Sequence, residues 1–307
     1  MKNKVLVLNK FKGKSSNSHL QIIKRLMSVK KAGFLGTLDP LAKGVLPIFT
    51  DNMTKLIKYL DDGPKVYRLR AILGFKTDTL DITGKVIAYN KLKKINDLSK
   101  DVIKKTILTF LGDFEYDAPK YSAKKISGQR YYKLARDNKE FKPIKNRSII
   151  HDIEIIKLNR SSFELFVKCS KGTYIRSLVD SIGSKLNVFA TLCDLERLES
   201  GPFKIRDSID IKNFQISEEL FFDISNIFTI IFASDECIKG ILRSNNYKIV
   251  NIGLISDELV DQIRKQELID NKVVNIIATT KNEIKLLLVS FFKNDGNYHY
   301  SKVEILS

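Results

Sequence analysis

Cysteine and histidine are scarce in this chain, which holds only three of each among its 307 residues. Cys169, Cys193 and Cys237 lie far apart and form no C-x-x-C pair, so the sequence predicts neither a zinc site nor a disulfide framework. The histidines are equally scattered, and we expect none of them to bind a metal. No G-x-S-x-G segment occurs, although this leaves open a Ser-His-Asp triad assembled from distant positions.

Long apolar runs are missing as well. No stretch of 18 uninterrupted apolar residues occurs, so we expect no membrane span. The apolar run near the N-terminus, Val5 to Leu8, is only four residues long, which is too short for the core of a signal peptide. We therefore expect a cytoplasmic protein.

Positive charge is abundant, since 53 lysines and arginines against 35 aspartates and glutamates give a net charge of +18. Such an excess attracts polyanions. Nucleic acid is the first partner that this charge predicts, and an anionic membrane surface is the second. A lysine-rich bias of the source proteome is the alternative explanation.

Length and composition predict a folded protein of about two domains, because 43% of the 307 residues are hydrophobic. The residue pattern changes near position 211. We therefore divide the chain into a domain at 1–210 and a small domain at 211–307. Three apolar segments between Val273 and Ser307, separated by Lys-Asn and Asn-Asp-Gly turns, predict that the second domain is rich in β-strands.

The segment GFLGTLDPLAKGVLPI, Gly33 to Ile48, combines glycines and prolines with many apolar residues. We interpret it as an ordered loop that packs against the body of the protein, and such loops often present a reactive group. Asp39 is its only carboxylate. In isolation, an Asp-Pro pair is more typical of a turn than of a catalytic site.

Two later segments place single polar residues within apolar patterns. In KVYRLRAILG, alternation puts Tyr67 on an apolar strand face and Arg68 on the other face. Tyr67 therefore fits either core packing or a site. Arg176 falls near the start of a predicted helix, where a cation opposes the helix dipole. We expect a carboxylate or phosphate to hold it, unless it simply reaches solvent.

The segment Pro119 to Pro143 interleaves cations with aromatic rings. Cations meet phosphates and rings stack on bases, so this composition is typical of RNA binding. A solvated helix and loop with locally packed tyrosines would have the same composition. The residues that we predict to bind RNA here are Lys120, Tyr121, Lys124, Lys125, Arg130, Lys133 and Arg136.

Four of these segments resemble motifs of the TruB family of tRNA pseudouridine synthases. GTLDPLAKGVLPI is similar to the family's catalytic motif, usually written G-H-x-G-x-L-D-P-x-A-x-G. KVYRLRAILG with the following TDTLDITG resembles its tyrosine-bearing strand and turn. The other two, APKYSAKKISGQRYYKLAR and CSKGTYIRSL, resemble P-x-Y-S-A-x-K and K-G-T-Y-I-R. The four occur in the family's order and cover most of residues 1–205.

The resemblance implies the pseudouridine synthase fold, which is α+β: a mixed, largely antiparallel sheet with flanking helices and an inserted thumb at about 119–143. A small β-rich C-terminal domain, either PUA-like or specific to the family, would follow. The resemblance also implies that Asp39 is the catalytic carboxylate, that Arg176 pairs with it, and that Tyr67 stacks on the flipped uracil.

The implied reaction converts uridine 55 in the T-loop of tRNA to pseudouridine. Uracil is detached from ribose, turned and rejoined through carbon without redox change, so we expect no cofactor. The expected partner is the T-arm of tRNA, clamped by the thumb, and we expect a monomer that binds no membrane. The alternatives are a non-catalytic tRNA-binding protein or tRNA chaperone, and a basic membrane-surface or ribosomal protein.

Some positions depart from the family's pattern. Phe34 stands where the family has histidine; the ring can still stack on RNA but cannot donate a hydrogen bond. The family's L-R-R is Leu195-Glu196-Arg197 here, so Glu196 reverses a charge while Arg197 keeps a predicted RNA contact. Phe11 replaces proline in NKFKGKSS, which resembles K-P-x-G-x-[TS]-S, and loses the fixed φ of proline.

Overall fold

The computed structural model describes two large β-sheets, two short two-stranded hairpins and a small number of helices. The described residues are 3–60, 63–122, 124–126, 129–131, 134, 137, 144–214, 220–232, 250–251, 274–279, 286–294 and 297–305. The predicted RNA-binding residues Lys133 and Arg136 lie outside them.

The first sheet has nine strands and is almost wholly antiparallel. Its strands are β1 Val5–Lys10, β2 Ala32–Phe34, β3 Lys43–Thr50, β4 Lys65–Leu73, β7 Gly112–Asp117, β10 Lys145–Leu158, β11 Ser162–Cys169, β12 Ala190–Ser200 and β13 Phe203–Lys204. Their order is β1-β3-β12-β4-β11-β10-β7, with β2 attached to β3 and β13 to β12. Among the described strands of this sheet, the one parallel strand pair is β12 with β3. The predicted α+β class is confirmed.

The helices lie around this sheet, with two short hairpins beside it. The helices are α1 Ser16–Leu26, α2 Leu92–Asn96, α3 Lys100–Leu108 and α4 Ile175–Lys185. The 3₁₀ segments are Asp51–Tyr59, Ile205–Asp207, Ile211–Asn213 and Ile224–Asn226. The hairpin strands are β5 Phe75–Thr77 with β6 Val86–Tyr89, and β8 Lys125–Ile126 with β9 Gln129–Arg130.

The main core forms between β4 and α4. Alternate residues of β4 are buried, and Leu69 and Ala71 are at most 1% exposed. Leu178 and Ile182 of α4 belong to the same apolar cluster. Tyr67 lies on this buried face, as the alternation predicts, so the strand and the helix that carry the predicted site residues are fixed by one core.

Helix α1 packs on β1 and β3 and fixes the segment that precedes Asp39. Helix α1 begins after Ser15, whose hydroxyl accepts a hydrogen bond from the Ser18 amide at 3.1 Å. Its buried face, with Leu20 and Ile23, packs on Leu46 and other residues of β1 and β3. The turn between β1 and α1 is therefore held against β3. The Asp39 loop joins β2 to β3, so this turn lies beside it.

The predicted loop at Gly33–Ile48 is wrong over its second half. The loop proper is 35–42, and the residues after it form β3, which is buried along almost its whole length. Gly44 and Pro47 favour a loop, but each has a place in the strand. Gly44 has φ +102°, and a Cβ there would lie 2.2 Å from the Arg197 carbonyl oxygen. The Pro47 carbonyl still accepts a hydrogen bond from the Leu35 amide at 3.0 Å.

The second sheet has five strands in the order β14-β16-β17-β18-β15. The strands are β14 Thr229–Phe232, β15 Val250–Asn251, β16 Val274–Thr279, β17 Leu286–Asn294 and β18 Asn297–Ile305. The last three confirm the strands predicted between Val273 and Ser307. The domain boundary at residue 210 stays a prediction. The chain beyond it still packs on the first sheet, since the Phe222 amide donates to the Val5 carbonyl at 2.8 Å.

In the part of the chain that the structure describes, the helices lack the length and the hydrophobicity that a membrane span requires. No group of three or more histidine, cysteine, aspartate or glutamate side chains there is arranged to hold a metal ion.

Candidate active site

Asp39 lies in a short loop that is fixed from the side of α1. The Ser16 hydroxyl bonds both the amide and the carbonyl of Leu38, each at 2.9 Å. The Ala42 amide donates to the Asp39 carbonyl at 3.0 Å, so residues 39–42 form a turn. The Asp-Pro pair is therefore a turn former, as its type predicts, and that turn also holds the Asp39 carboxylate in one place.

Arg176 holds the other side of this carboxylate. Its Nε lies 2.8 Å from Asp39 Oδ2. Its two other nitrogens donate to the carbonyls of Thr79 at 2.9 Å and Tyr121 at 2.8 Å. The arginine side chain is 4% exposed, whereas that of Asp39 is 35% exposed. The predicted pairing is confirmed: the buried cation is ion-paired through Nε and hydrogen-bonded through its two other nitrogens, while its partner carboxylate stays open to the cleft.

The position of Arg176 follows from local structure. It is the second residue of α4, where the helix dipole disfavours a cation. The carboxylate and the two carbonyls offset that penalty. The Thr79 carbonyl belongs to the turn between β5 and β6, and Tyr121 follows β7. One guanidinium therefore joins three segments that are distant in sequence.

The carboxylate opens into a cleft of about 310 Å³, at the lower end of the roughly 300–1,000 Å³ that is usual for small-ligand sites. The cleft has both apolar and polar walls. Its lining residues are Gly36, Thr37, Leu38, Asp39, Lys65, Tyr67, Ser122, Gly172, Thr173, Tyr174, Ile175, Arg176, Leu195 and Arg197. Asp39, Tyr67 and Arg176, the three predicted catalytic residues, thus meet in one cleft.

Tyr67 forms part of the dry floor of the cleft. It is 6% exposed, and burial raises the pKa of its hydroxyl to about 12. The positive charge of the Arg197 guanidinium lowers this pKa by a smaller amount. The phenol is therefore neutral at physiological pH.

The prediction that Arg197 contacts RNA is not supported. The side chain is 0% exposed. Its Nε donates to the Val45 carbonyl and its Nη2 to the Gly36 carbonyl, each at 2.8 Å. A phosphate would have to displace these bonds to reach it. Its neighbour Glu196 points elsewhere and lies 3.2 Å from Lys43 Nζ.

Lys10 is a residue of the site that the sequence reasoning did not single out. It is 0% exposed, and its Nζ donates to the carbonyls of Ala42 at 2.6 Å and Phe11 at 3.1 Å. Burial lowers the pKa of this amine to about 8, which the negative charge of Asp39 partly opposes. The NKFKGKSS segment could have indicated this residue, because Lys10 precedes the loop that contacts the Asp39 turn.

Phe34 lies at the end of β2 beside the cleft rather than in its lining. The ring is half-buried and packs against the apolar cluster that includes Leu46 and Ile48. Its predicted contact with RNA stays a prediction. The packing explains how an apolar side chain is accommodated at this position.

The structure describes the predicted thumb in part. Lys120 is exposed, and Lys124 and Tyr121 are half-buried. Lys125 and Arg130 lie on β8 and β9. Tyr131 is 0% exposed and its hydroxyl accepts a hydrogen bond from the Ile144 amide at 2.9 Å, so this tyrosine packs locally. RNA binding by the segment stays a prediction.

Comparisons with known proteins place these features in a family. Residues 24–175 match the family model described as TruB family pseudouridylate synthase (N terminal domain). A protein of Francisella philomiragia, named tRNA pseudouridine synthase B, is 38% identical over 298 residues, 95% of this chain and 96% of that protein. The protein of the same name from Francisella tularensis subsp. novicida is also 38% identical over 298 residues. This chain belongs to the TruB family.

Solved structures share the fold of this chain. A chain in "Crystal Structure of a Cbf5-Nop10-Gar1 Complex" superposes with a TM-score of 0.66 and 20% identity, covering 99% of this chain and 85% of that one. A chain in an H/ACA RNP bound to a substrate RNA gives a TM-score of 0.65 and 18% identity, covering 98% of this chain and 83% of that one. At this identity the likeness shows the fold alone.

Proposed function

We propose that this TruB family protein isomerises uridine to pseudouridine in tRNA, with Asp39 as the essential carboxylate. Family membership and relatives named tRNA pseudouridine synthase B support the reaction. The observation that carries the assignment of residues is the Asp39–Arg176 ion pair, 2.8 Å between Oδ2 and Nε, at the wall of a cleft floored by Tyr67.

The chemistry needs little beyond these side chains. The bond between ribose C1′ and uracil N1 breaks, the base turns, and C1′ bonds to C5. The C5 proton leaves and N1 gains a proton, so atoms and charge balance without an external group. Asp39 acts on the ribosyl centre or on the base while ionised. Arg176 sets a fixed positive charge beside it, and the burial of that charge strengthens the interaction.

Tyr67 supplies a flat apolar surface on which a uracil extruded from its stack would lie. Extrusion of a base costs a few kcal/mol, and stacking on an aromatic ring recovers about 1–3 kcal/mol per base. The ring is almost fully buried, at 6% exposure, and this packing keeps it in one orientation. We assign Tyr67 to binding and orienting the base.

We propose uridine 55 in the T-loop as the target and the T-arm as the part of tRNA that is bound. The resemblance of the Pro119–Pro143 segment to a thumb supports this, as does the net charge of +18. Cations on this segment would neutralise phosphates and so make binding salt-dependent. We further propose that the protein acts as a monomer in the cytoplasm.

The decisive experiment measures tritium release from unmodified tRNA that carries 5-tritiated uridine. We expect release by the wild type and none by Asp39→Asn, with tRNA affinity nearly unchanged, since the substitution keeps the size of the side chain and removes its charge. Asp152→Asn, an exposed site on β10, is the matched control and should behave as wild type.

The same experiment distinguishes the isomerase from the second candidate function, a non-catalytic tRNA-binding protein or tRNA chaperone. Phe34 in place of the family's histidine is the observation that favours it. Binding of tRNA by the wild type without release would establish that candidate and contradict the isomerase. Loss of folding in Asp39→Asn would instead mean that Asp39 has a structural task.

A further inference from the structure

Arg197 is among the largest of the fully buried side chains in the described part of the chain. It lies in β12, opposite Tyr67 of β4 and beside Gly44 of β3. A guanidinium keeps its charge at any accessible pH. Enclosing such a charge costs free energy, and replacement by apolar residues is often neutral or stabilising. Folding alone therefore does not explain an arginine at this position.

The hydrogen bonds of Arg197 join both ends of the Asp39 loop. Gly36, whose carbonyl accepts from Nη2 at 2.8 Å, lies three residues before Asp39. Val45, whose carbonyl accepts from Nε at 2.8 Å, lies just after the loop has entered β3. Since the guanidinium is planar and rigid, the two carbonyls are held at a fixed separation.

The same arginine lies directly opposite Tyr67 in the β4–β12 register, and both residues line the cleft. Burial raises the pKa of the Tyr67 hydroxyl, and the positive charge of Arg197 lowers it by a smaller amount. Arg197 therefore lies between the loop that carries the carboxylate, which it hydrogen-bonds, and the ring that forms the floor of the cleft. The backbone leaves room for this close approach, because a Cβ on Gly36 would lie 3.0 Å from Arg197 Nη1. Gly36 also has φ +68°, a conformation that glycine adopts without strain.

We propose that Arg197 is a positioning residue for the isomerisation, which fixes the Asp39 loop and the Tyr67 ring relative to each other across the cleft. It acts through these two residues rather than by binding phosphate. The inference rests on the proposed function. A displacement of about 1 Å between reacting groups lowers a rate by about 10²-fold, so the loss of this link should be visible in the chemical step.

The test uses Arg197→Lys and Arg197→Met in the full chain, with Arg68→Met as the matched control. Arg68 lies next to Tyr67 in β4 but on the exposed face of the strand. Three quantities are measured for each variant: the thermal unfolding midpoint, the tRNA dissociation constant by filter binding, and the single-turnover rate of tritium release at saturating enzyme.

We expect both Arg197 variants to release tritium about 10²-fold more slowly than wild type, with dissociation constants within about threefold of wild type. Lysine should restore little, because a single ammonium does not reproduce the planar geometry that spans both carbonyls. Arg68→Met should match wild type in rate and affinity. A general loss of stability would not lower the rate of tritium release while leaving the tRNA dissociation constant nearly unchanged.

Three results would overturn the proposal. An unchanged rate in a folded variant would remove any role in positioning. Weaker tRNA binding with a normal rate at saturation would make Arg197 an RNA contact. Failure of both variants to fold would make it a structural residue only. Absence of turnover by the wild type is a separate result, since it would overturn the proposed function and the positioning role together.

Discussion

The molecule holds its cations in two different ways on the two sides of the nine-stranded sheet. Around the cleft, Arg176, Arg197 and Lys10 are buried and donate largely to backbone carbonyls. On the opposite face, Arg68 pairs with Glu164, and the side chains are 49% and 19% exposed. Two further pairs on that side are Lys43 with Glu196 and Lys12 with Asp194.

The difference separates cations that set geometry from cations that keep a surface soluble. An exposed ion pair contributes about 0–1 kcal/mol, because water screens it and two side chains must be ordered. A buried cation is costly, and it persists where its directional bonds fix something else. Substitutions around the cleft should therefore alter turnover or the pH dependence of stability, and equivalent substitutions on the opposite face should alter neither.

Among substitutions of the cations, the largest effect is expected for Arg176→Met. It removes the cation beside Asp39 and the donor to the carbonyls of Thr79 and Tyr121. We expect turnover to fall by about 10³-fold and the free energy of unfolding by roughly 2–3 kcal/mol. Tritium release and urea unfolding measure the two losses.

Arg176→Lys tests which part of the loss is geometric. A lysine keeps the charge but cannot reach the carboxylate and both carbonyls together, so we expect it to recover some stability and little turnover. Near-wild-type turnover in Arg176→Lys would show that charge alone is enough. The two faces of the sheet would then differ less than their geometry suggests.

Much of this site could be predicted from the sequence, because its elements rest on short-range patterns. Alternation in β4 placed Tyr67 on the buried face, and helical spacing placed Arg176 at the start of α4. A cation at that end of a helix requires a partner, and Asp39 provides it. Each of these inferences needs only a local period and one electrostatic rule.

Other features depended on contacts between segments distant in sequence. Arg197 is buried because β12 runs parallel to β3 at Gly44, and no local pattern reports that neighbour. Gly44 and Pro47 are residues that usually interrupt a strand, so the sequence did not indicate β3. Gly44 is needed because the backbone of β12, which is distant in sequence, approaches it closely. Lys10 looks like an ordinary surface lysine until the Ala42 carbonyl is placed 2.6 Å from its Nζ.

A smaller effect is expected from Lys10, as a dependence of stability on pH. The pKa of this amine is about 8 in the folded protein against 10.5 ordinarily, with burial as the main cause. Between these values the unfolded chain binds more protons than the folded one, so the free energy of unfolding rises with pH. Above pH 10 the rise is opposed by Tyr67, whose pKa is raised to about 12 by burial.

Urea unfolding at about pH 7, 8, 9 and 10 and at constant ionic strength would measure this dependence. We expect the free energy of unfolding to rise by about 2 kcal/mol between pH 8 and 10. Lys10→Met should abolish it. Lys12→Met is the control, because Lys12 is an exposed neighbour paired with Asp194, and it should keep the rise. Parallel curves for wild type and Lys10→Met would mean that Lys10 is not the group responsible.

The smallest effect is expected on the opposite face, where Arg68→Met should change the free energy of unfolding by less than about 1 kcal/mol and leave turnover unchanged. A double-mutant cycle with Glu164→Gln isolates the pair, and its coupling energy should shrink further as salt screens the two charges. A coupling well above 1 kcal/mol that resists salt would show that this pair is shielded from water. The two faces would then differ in the group that binds the cation, a backbone carbonyl on one face and a carboxylate on the other, and not in how deeply the cation is buried.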